Sequence, residues 1–131
     1  MREVEVSAVT AAVKRLCIEA NCILPGDVRQ RIQACRQAED WPVAQNVLDQ
    51  IVENYEIAQE QQAPICQDTG MACVFLEVGQ EVHFTGGALY DAIHEGVRQG
   101  YAEGYLRKSV VSDPLERKNT GDNTPAMIYC D

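Results

Sequence analysis

The hydrophobic pattern of this chain changes its period once, close to Pro64, and that change restricts the fold to one that combines helices with a sheet. Before Pro64, apolar residues recur at every third or fourth position, which is typical of amphipathic helices. After it, residues 71–78 form a nearly continuous apolar run of strand length between Gly70 and Gly79. The sequence therefore predicts an α+β fold in which amino-terminal helices lead into a sheet.

Three helices are predicted before Pro64. Ser7, Asp27 and Asp40 stand where a side chain can cap the start of each helix, and Pro42 falls in the first turn of the third. The residues expected to face the core of the second and third helices are Val28, Ile32, Cys35, Val47, Leu48, Ile51, Tyr55 and Ala58. Cys17 and Cys35 lie on helical stripes of this kind, so we expect both to pack in the core.

The second half of the chain is predicted to hold a hairpin and a long helix. Residues 81–85 alternate apolar and polar side chains, so the strands on either side of Gly79 and Gln80 predict a β-hairpin. A helix from Leu89 to about Gly104 is then expected to pack on the sheet. Glycine recurs at every fourth position along this helix. Since each glycine costs about 1 kcal/mol of helix propensity, the repeat indicates close packing against a sheet or another backbone.

The end of the chain is predicted to be a polar loop followed by a strand. Residues 107–125 are rich in turn-forming residues, and an apolar strand begins at Ala126. Because the chain stops within that strand, we expect a domain that is incomplete at its carboxyl end. A length of 131 residues suits a single domain, with a helical part at 1–62 and an α/β part at 63–131.

Charge and cysteine content exclude several classes of function. The formal net charge of -9 disfavours nucleic acid as a partner. We expect a cytoplasmic protein with no membrane partner, because no secretion signal is visible and no apolar run approaches the roughly 20 residues that span a bilayer. Six cysteines without a C-x-x-C pair are expected to be reduced thiols and disfavour a structural zinc site.

The segment Pro64-Ile65-Cys66-Gln67-Asp68-Thr69-Gly70 carries the chemistry most open to a functional interpretation. It places a thiol, an amide and a carboxylate on consecutive residues between a helix and a strand. Loops held by rigid elements commonly display ligands and reactive groups. Taken alone, the same residues also fit a buried cysteine beside an ordinary Asp-Thr-Gly turn.

Further motifs follow this segment in a characteristic order: FTGGALYDAIHEGVRQGY, EGYLRKSVV, DPL and RKNTGDNTPA. In order and spacing, these motifs resemble the amino-terminal domain of class I fumarate hydratases and of L-tartrate dehydratase alpha subunits. The resemblance covers about residues 63–126. It implies an iron-sulfur hydro-lyase that hydrates fumarate to (S)-malate, with L-tartrate dehydratase as the alternative. A truncated, non-catalytic module without bound metal is a second alternative.

The resemblance also implies a site for a small dicarboxylate substrate. In the family, a [4Fe-4S] cluster is held by three cysteines, and its open iron acts as a Lewis acid. Cys66 matches the first of these ligands. Gln67 and Asp68 match substrate-contacting positions, and Asp68 is the catalytic candidate among them. Arg107 matches an arginine that holds a substrate carboxylate, a task for which the planar guanidinium is suited.

Asn119, Thr120 and Gly121 match a loop near the active site of the family, although an Asn-Thr-Gly sequence is equally typical of a simple turn. Cys73 and Cys130 do not match ligand positions, so the two other cluster cysteines are expected downstream of residue 131. They would come from a continuation of the chain or from a beta subunit, within a homo- or hetero-oligomer. A single thiolate cannot hold a cubane, so the chain alone is expected to be inactive.

Overall fold

A computed structural model describes residues 1–131 and contains four helices and four short strands. The helices are α1 (Val6–Cys22), α2 (Gly26–Ala38), α3 (Pro42–Gln61) and α4 (Leu89–Glu103), and the strands are β1 (Arg2–Glu5), β2 (Cys73–Leu76), β3 (Val82–Thr85) and β4 (Met127–Cys130). The predicted α+β class is confirmed. None of the helices combines the length and the apolar character that crossing a membrane requires.

The chain is organised as two compact units. The first, which we call the α/β unit, contains residues 1–18 and 67–131, and the second, the helical unit, contains residues 19–66. The single domain predicted from the length stays a prediction.

In the helical unit, polar contacts join α2 to α3. Arg36 pairs with Asp49, and Arg29 donates to Gln59 Oε1 at 2.9 Å. Tyr55 and Ala58 of α3 are buried, as predicted, whereas α2 has no buried residue. The prediction that Cys35 packs in the core is therefore wrong, because its side chain is exposed.

Three further predicted core positions of α2 and α3 are exposed as well, while Ile32 and Leu48 are half-buried. Val28, Val47 and Ile51 are exposed, although their spacing places them on apolar stripes. A helix that packs against a single neighbour covers only a narrow line of its stripe, and the flanking apolar positions stay open. Amphipathic spacing alone therefore overestimates the burial of this unit.

The predicted helix caps do not form. Helix α2 is preceded by Pro25 and α3 by Trp41, and neither makes a side-chain capping bond. Ser7 lies inside α1, which begins one residue earlier, and its hydroxyl donates to Glu5 at 3.4 Å. Pro42 does occupy the first turn of α3, as predicted, where a missing N–H is tolerated.

All four strands pair in parallel, so the predicted hairpin is wrong. Strand β1 pairs with β3, with Arg2 opposite Val82, and β2 pairs with β4, with Cys73 opposite Met127. Successive strands β2 and β3 thus belong to different sheets. The alternation near Gly79 correctly indicated strands, but local alternation carries no information about which distant segment a strand meets.

Strand β2 is partly buried on one face only, although a nearly continuous apolar run is typical of a strand buried on both faces. Val74 and Leu76 pack against the core, while Phe75 is 76% exposed and stacks on Tyr129 of β4 with ring centroids 5.0 Å apart. The outer face of this two-stranded sheet is therefore apolar and open.

The core of the α/β unit forms where α4 meets α1. Ile93 and Val97 are fully buried and contact Val13 of α1. A Cβ atom added at Gly96 would lie 2.7 Å from the Thr10 carbonyl oxygen and 2.7 Å from Val13 Cβ. Glycine is required there because the two helix backbones approach too closely for any side chain. The predicted close packing of the glycine-bearing helix against another backbone is confirmed.

The first testable prediction concerns this helix contact. Substituting Gly96→Ala adds a methyl group where none fits, so we expect the free energy of unfolding to fall by about 1–3 kcal/mol. The loss occurs despite a gain of about 1 kcal/mol in helix propensity. Urea unfolding followed by circular dichroism measures the change. Gly26→Ala is the matched control, because an added Cβ there meets nothing within 4 Å, and it should not destabilise. A Gly96→Ala variant as stable as the parent would disprove the steric explanation.

Candidate functional site

The loop from residue 63 to residue 70, which we call the motif loop, begins where α3 is forced to end. Gln62 adopts a left-handed backbone with φ of 52°, and Pro64 follows two residues later. Proline disfavours helical geometry in the residue before it and cannot donate a helical hydrogen bond itself. The chain therefore leaves the helix immediately before the chemically distinctive residues.

Within the helical unit, the start of the motif loop is held through both backbone polar groups of Ile65. The Ile65 amide donates to the Asn21 carbonyl at 2.8 Å, and Asn54 Nδ2 donates to the Ile65 carbonyl at 3.0 Å. The next residue, Cys66, is exposed and borders a mainly apolar cavity of about 420 Å³ together with Ile51 and Tyr55. Cys66 is thus an accessible thiol on an anchored backbone, not the buried cysteine of the structural alternative.

Within the α/β unit, the rest of the motif loop lies beside the segment that follows α4. Gln67 Nε2 donates to the Tyr105 carbonyl at 3.1 Å, and Arg107 Nη1 donates to Thr69 Oγ1 at 3.0 Å. The candidate residues Gln67 and Arg107, which are distant in sequence, are therefore brought to the same place. Sequence reasoning did not single out Thr69, although its position beside Asp68 in the motif was visible.

Asp68 is also exposed, and its carboxylate lies against the backbone of the same loop. A Cβ atom at Gly70 would be 2.7 Å from Asp68 Oδ2, so glycine leaves the space that this carboxylate occupies. The Gln67 amide, the Asp68 carboxylate and the Arg107 guanidinium group are thus all exposed to solvent. Such a set offers both donors and an acceptor to a small polar molecule.

Arg107 forms no ion pair with Asp113 or Glu116, the two acidic residues of its own segment. The Asp113 carboxylate accepts hydrogen bonds from the amides of Glu116 at 2.9 Å and Leu115 at 2.8 Å, and these bonds lower its pKa below the usual range. A guanidinium has five N–H donors, and the bond to Thr69 uses one of them.

The candidate residues Asn119, Thr120 and Gly121 form a turn that is fastened to the segment after Arg107. Asn119 Nδ2 donates to the Lys108 carbonyl at 2.8 Å, and its Oδ1 accepts from the Gly121 amide at 2.7 Å. The Thr120 amide donates to the Val110 carbonyl at 3.0 Å. These bonds fit a local turn next to the Arg107 segment, and a role of this loop in the active site stays a prediction.

Asn123 is a buried residue of this region that sequence reasoning missed. Its Oδ1 accepts hydrogen bonds from the amides of Ser109 at 2.6 Å and Val110 at 2.9 Å, and its Nδ2 donates to the Gly70 carbonyl at 3.2 Å. Nothing in the polar stretch 119–125 distinguishes Asn123 from its exposed neighbour Asn119. The signal that separates them is burial, which only the fold supplies.

Asp122 is the most strongly perturbed carboxyl group near the site. It accepts hydrogen bonds from the Thr124 amide at 3.0 Å, from the Thr124 hydroxyl at 2.7 Å and from Arg98 Nε at 2.9 Å. These contacts, of which the Thr124 amide is the largest cause, hold the pKa of Asp122 far below its usual range. Because Arg98 belongs to α4, the bond fastens the loop to that helix.

The residues present do not form a complete metal site. No group of three or more histidine, cysteine, aspartate or glutamate side chains is placed to hold a metal ion. Burial raises the pKa values of the Cys17 and Cys22 thiols, which disfavours the thiolate form that metals bind. Cys66 is the exposed thiol that the motif loop offers.

Comparison with known proteins places this arrangement in a family context. A family model described as fumarate hydratase (Fumerase) matches residues 10–131. A Methanocaldococcus jannaschii protein, provisionally named L(+)-tartrate dehydratase subunit alpha, is 36% identical over 116 residues, which are 88% of this chain and 40% of that protein. The anaerobic class I fumarate hydratase of Escherichia coli (strain K12) is 33% identical over 129 residues, which are 96% of this chain and 23% of that enzyme. The chain thus spans less than half the length of these relatives.

The second prediction tests the contribution of Asp122. A carboxylate with a depressed pKa stabilises the fold at neutral pH, and this contribution declines as the pH falls below the ordinary aspartate value of about 4. We expect Asp122→Asn to lower the free energy of unfolding by about 1–2 kcal/mol at pH 7, and the difference from the parent to narrow towards pH 3. Urea unfolding at pH 7, 5 and 3 measures it. Thr124→Val removes one of the donors and should show part of the same pH dependence. A pH-independent difference would contradict the role of the charge.

Proposed function

Because the chain belongs to the fumarate hydratase (Fumerase) family, we propose that it is the amino-terminal part of a hydro-lyase that reversibly adds water to fumarate to give (S)-malate. The observation that carries this proposal is the convergence of the motif loop and the Arg107 segment, joined by the hydrogen bond between Arg107 and Thr69. The remaining parts of the active site would come from a continuation of the chain or a beta subunit, in a homo- or hetero-oligomer. A cytoplasmic location stays a prediction.

In this proposal, Arg107 binds one carboxylate of the substrate. A guanidinium can donate two parallel hydrogen bonds to a carboxylate, and this geometry fixes the orientation as well as the position of the bound acid. Gln67 and Asp68 contact the substrate from the motif loop, and Asp68 is the candidate for a catalytic group. The exposure of all three side chains supports access by a small molecule.

Cys66 is proposed as one of three cysteine ligands of a [4Fe-4S] cluster, with the other two supplied from beyond residue 131. Its exposed thiol and anchored backbone suit a ligand position. When bound, such a cluster supplies an open iron that acts as a Lewis acid on the hydroxyl group that is lost or gained.

A second candidate is the alpha subunit of an L-tartrate dehydratase. It is favoured by the 36% identity to the Methanocaldococcus jannaschii protein that carries this name. Fumarate and tartrate are both small dianions, so an arginine at the position of Arg107 suits either. Steady-state assays of the complete enzyme with fumarate, (S)-malate and L-tartrate distinguish the two reactions. Turnover of none of them by an anaerobically prepared, iron-loaded enzyme would reject both and favour the non-catalytic module.

The third prediction tests the cluster ligand. In the complete enzyme, Cys66→Ser should abolish cluster assembly, because the hydroxyl of serine is a poor replacement for a thiolate. Iron and sulfide analysis and the visible absorption of anaerobic protein measure the loss. Cys35→Ser and Cys73→Ser are matched controls, since both thiols are also exposed, and each should retain full iron content. Equal loss of iron in all three variants would defeat the assignment of Cys66.

The fourth prediction tests the substrate-binding arginine. Arg107→Met keeps much of the side-chain volume and removes the charge-assisted hydrogen bonds, so kcat/KM for fumarate should fall at least about tenfold. Iron content should not change, because arginine is not a cluster ligand. Arg31→Met, at an exposed position of α2, is the matched control and should leave the kinetics unchanged. Normal kinetics with a lowered melting temperature would instead show that Arg107 has a structural role.

A further inference from the structure

Asn123 is the one polar residue of the chain that is buried, with an exposed fraction of 0%. Both ends of its side-chain amide are used. The oxygen accepts from two successive backbone amides, Ser109 and Val110, and the nitrogen donates to the carbonyl of Gly70. One side chain thereby joins the segment that carries Arg107 to the end of the motif loop.

The other hydrogen bonds between these two segments lie at the surface. The Gln67 bond to Tyr105 and the Arg107 bond to Thr69 are both exposed, so water competes with each of them. The bonds of Asn123 to Val110 and Gly70 are buried or partly buried. Breaking a buried bond leaves a polar group without a partner, which costs more than losing a bond that water can replace. The distance between the motif loop and the segment that carries Arg107 therefore depends mainly on the hydrogen bonds of Asn123.

The position requires an asparagine for two independent reasons. The residue has a φ of 61°, a left-handed conformation that asparagine, aspartate and glycine adopt more readily than other residues. Its side chain must also present an acceptor to two amides and a donor to a carbonyl. Aspartate satisfies the first need but would place a carboxylate oxygen against the Gly70 carbonyl oxygen, and glycine satisfies only the backbone.

We propose that Asn123 is a positioning residue of the substrate site, which sets the distance between the motif loop and Arg107 so that both engage the same small dicarboxylate. This inference rests on the proposed function. Asn123 acts through Arg107 and does not itself touch the substrate. If this is so, its effect on substrate binding should exist only while Arg107 is present to be positioned.

The test is a double-mutant cycle in the complete enzyme with fumarate as substrate. Asn123→Gly and Asn123→Asp should each raise KM at least about tenfold and leave iron content unchanged. When either is combined with Arg107→Met, KM should rise no more than about twofold above that of Arg107→Met alone, because positioning has no further effect once the guanidinium is absent. Asn46→Asp, at an exposed position of α3, is the matched control and should leave KM unchanged.

Two kinetic results would overturn the proposal. The first is a double variant whose KM rises by the product of the two single-variant effects. Asn123 would then have a purely structural role. The second is normal KM in Asn123→Gly, which keeps the backbone conformation accessible even if the aspartate variant does not fold. Amide hydrogen exchange at Ser109 and Val110 is measured on the same proteins and should accelerate in Asn123→Gly. An unchanged exchange rate would show that Asn123 does not hold these two amides. Absence of any turnover by the parent enzyme would instead reject the proposed function.

Discussion

The close contact between the backbones of α1 and α4 is the constraint on which the rest of the α/β unit depends. Gly96 and Gly100 remove the side chains that would hold the helices apart, and Thr10 Oγ1 then reaches the Ala92 carbonyl at 2.9 Å across the interface. Lys14 pairs with Glu103 further along the same contact. Because closely packed atoms of the two helices interlock, the helices have little freedom to slide past each other.

This rigidity extends to the candidate site through the end of α4. Gly104 closes the helix and lies close to Ile18, and Tyr105 then reverses the chain with a φ of 53°. Arg107 follows two residues later, so its position is defined by a helix end and not by a freely hanging loop. The loop that contains Asp122 is attached to the same helix, α4, by the hydrogen bond from Arg98 to Asp122. Rigid elements thus hold an irregular segment, which is how proteins commonly build binding sites.

The polar loops around Arg107 contain little regular secondary structure, yet several of their backbone amides have hydrogen-bond partners. Side chains supply them: Asn123 binds two amides, and Asp113 binds two more. Asparagine and aspartate are suited to this because their short side chains reach neighbouring backbone groups. The abundance of these residues in 107–125 therefore reflects backbone satisfaction as much as chemistry.

The features that the sequence predicted correctly are those that local periodicity encodes. Helix α4, its glycine repeat and strand β4 each follow from a pattern within a few turns or residues. The parallel pairing was missed because it joins distant segments, and β1 was missed because Arg2–Glu5 is too short and polar to show a strand pattern. For the site, the order of motifs indicated Gln67, Asp68 and Arg107, whereas the burial of Asn123 depends on three segments meeting. Cys35 was misjudged because spacing does not reveal how much of a stripe a neighbour covers.

The parallel pairing also determines the order in which the chain can fold during synthesis. Strand β1 lies at residues 2–5 and its partner at residues 82–85, while β2 at residues 73–76 must wait for residues 127–130. Neither sheet can therefore be nucleated by a local turn, and both close long loops whose entropy is lost before any strand pairing is gained. On the ribosome, the first strand emerges long before its partner and must remain unpaired throughout that interval. Helix α4 emerges after β3 but before β4, so the contact between α1 and α4 can precede the second sheet and bring β2 and β4 together.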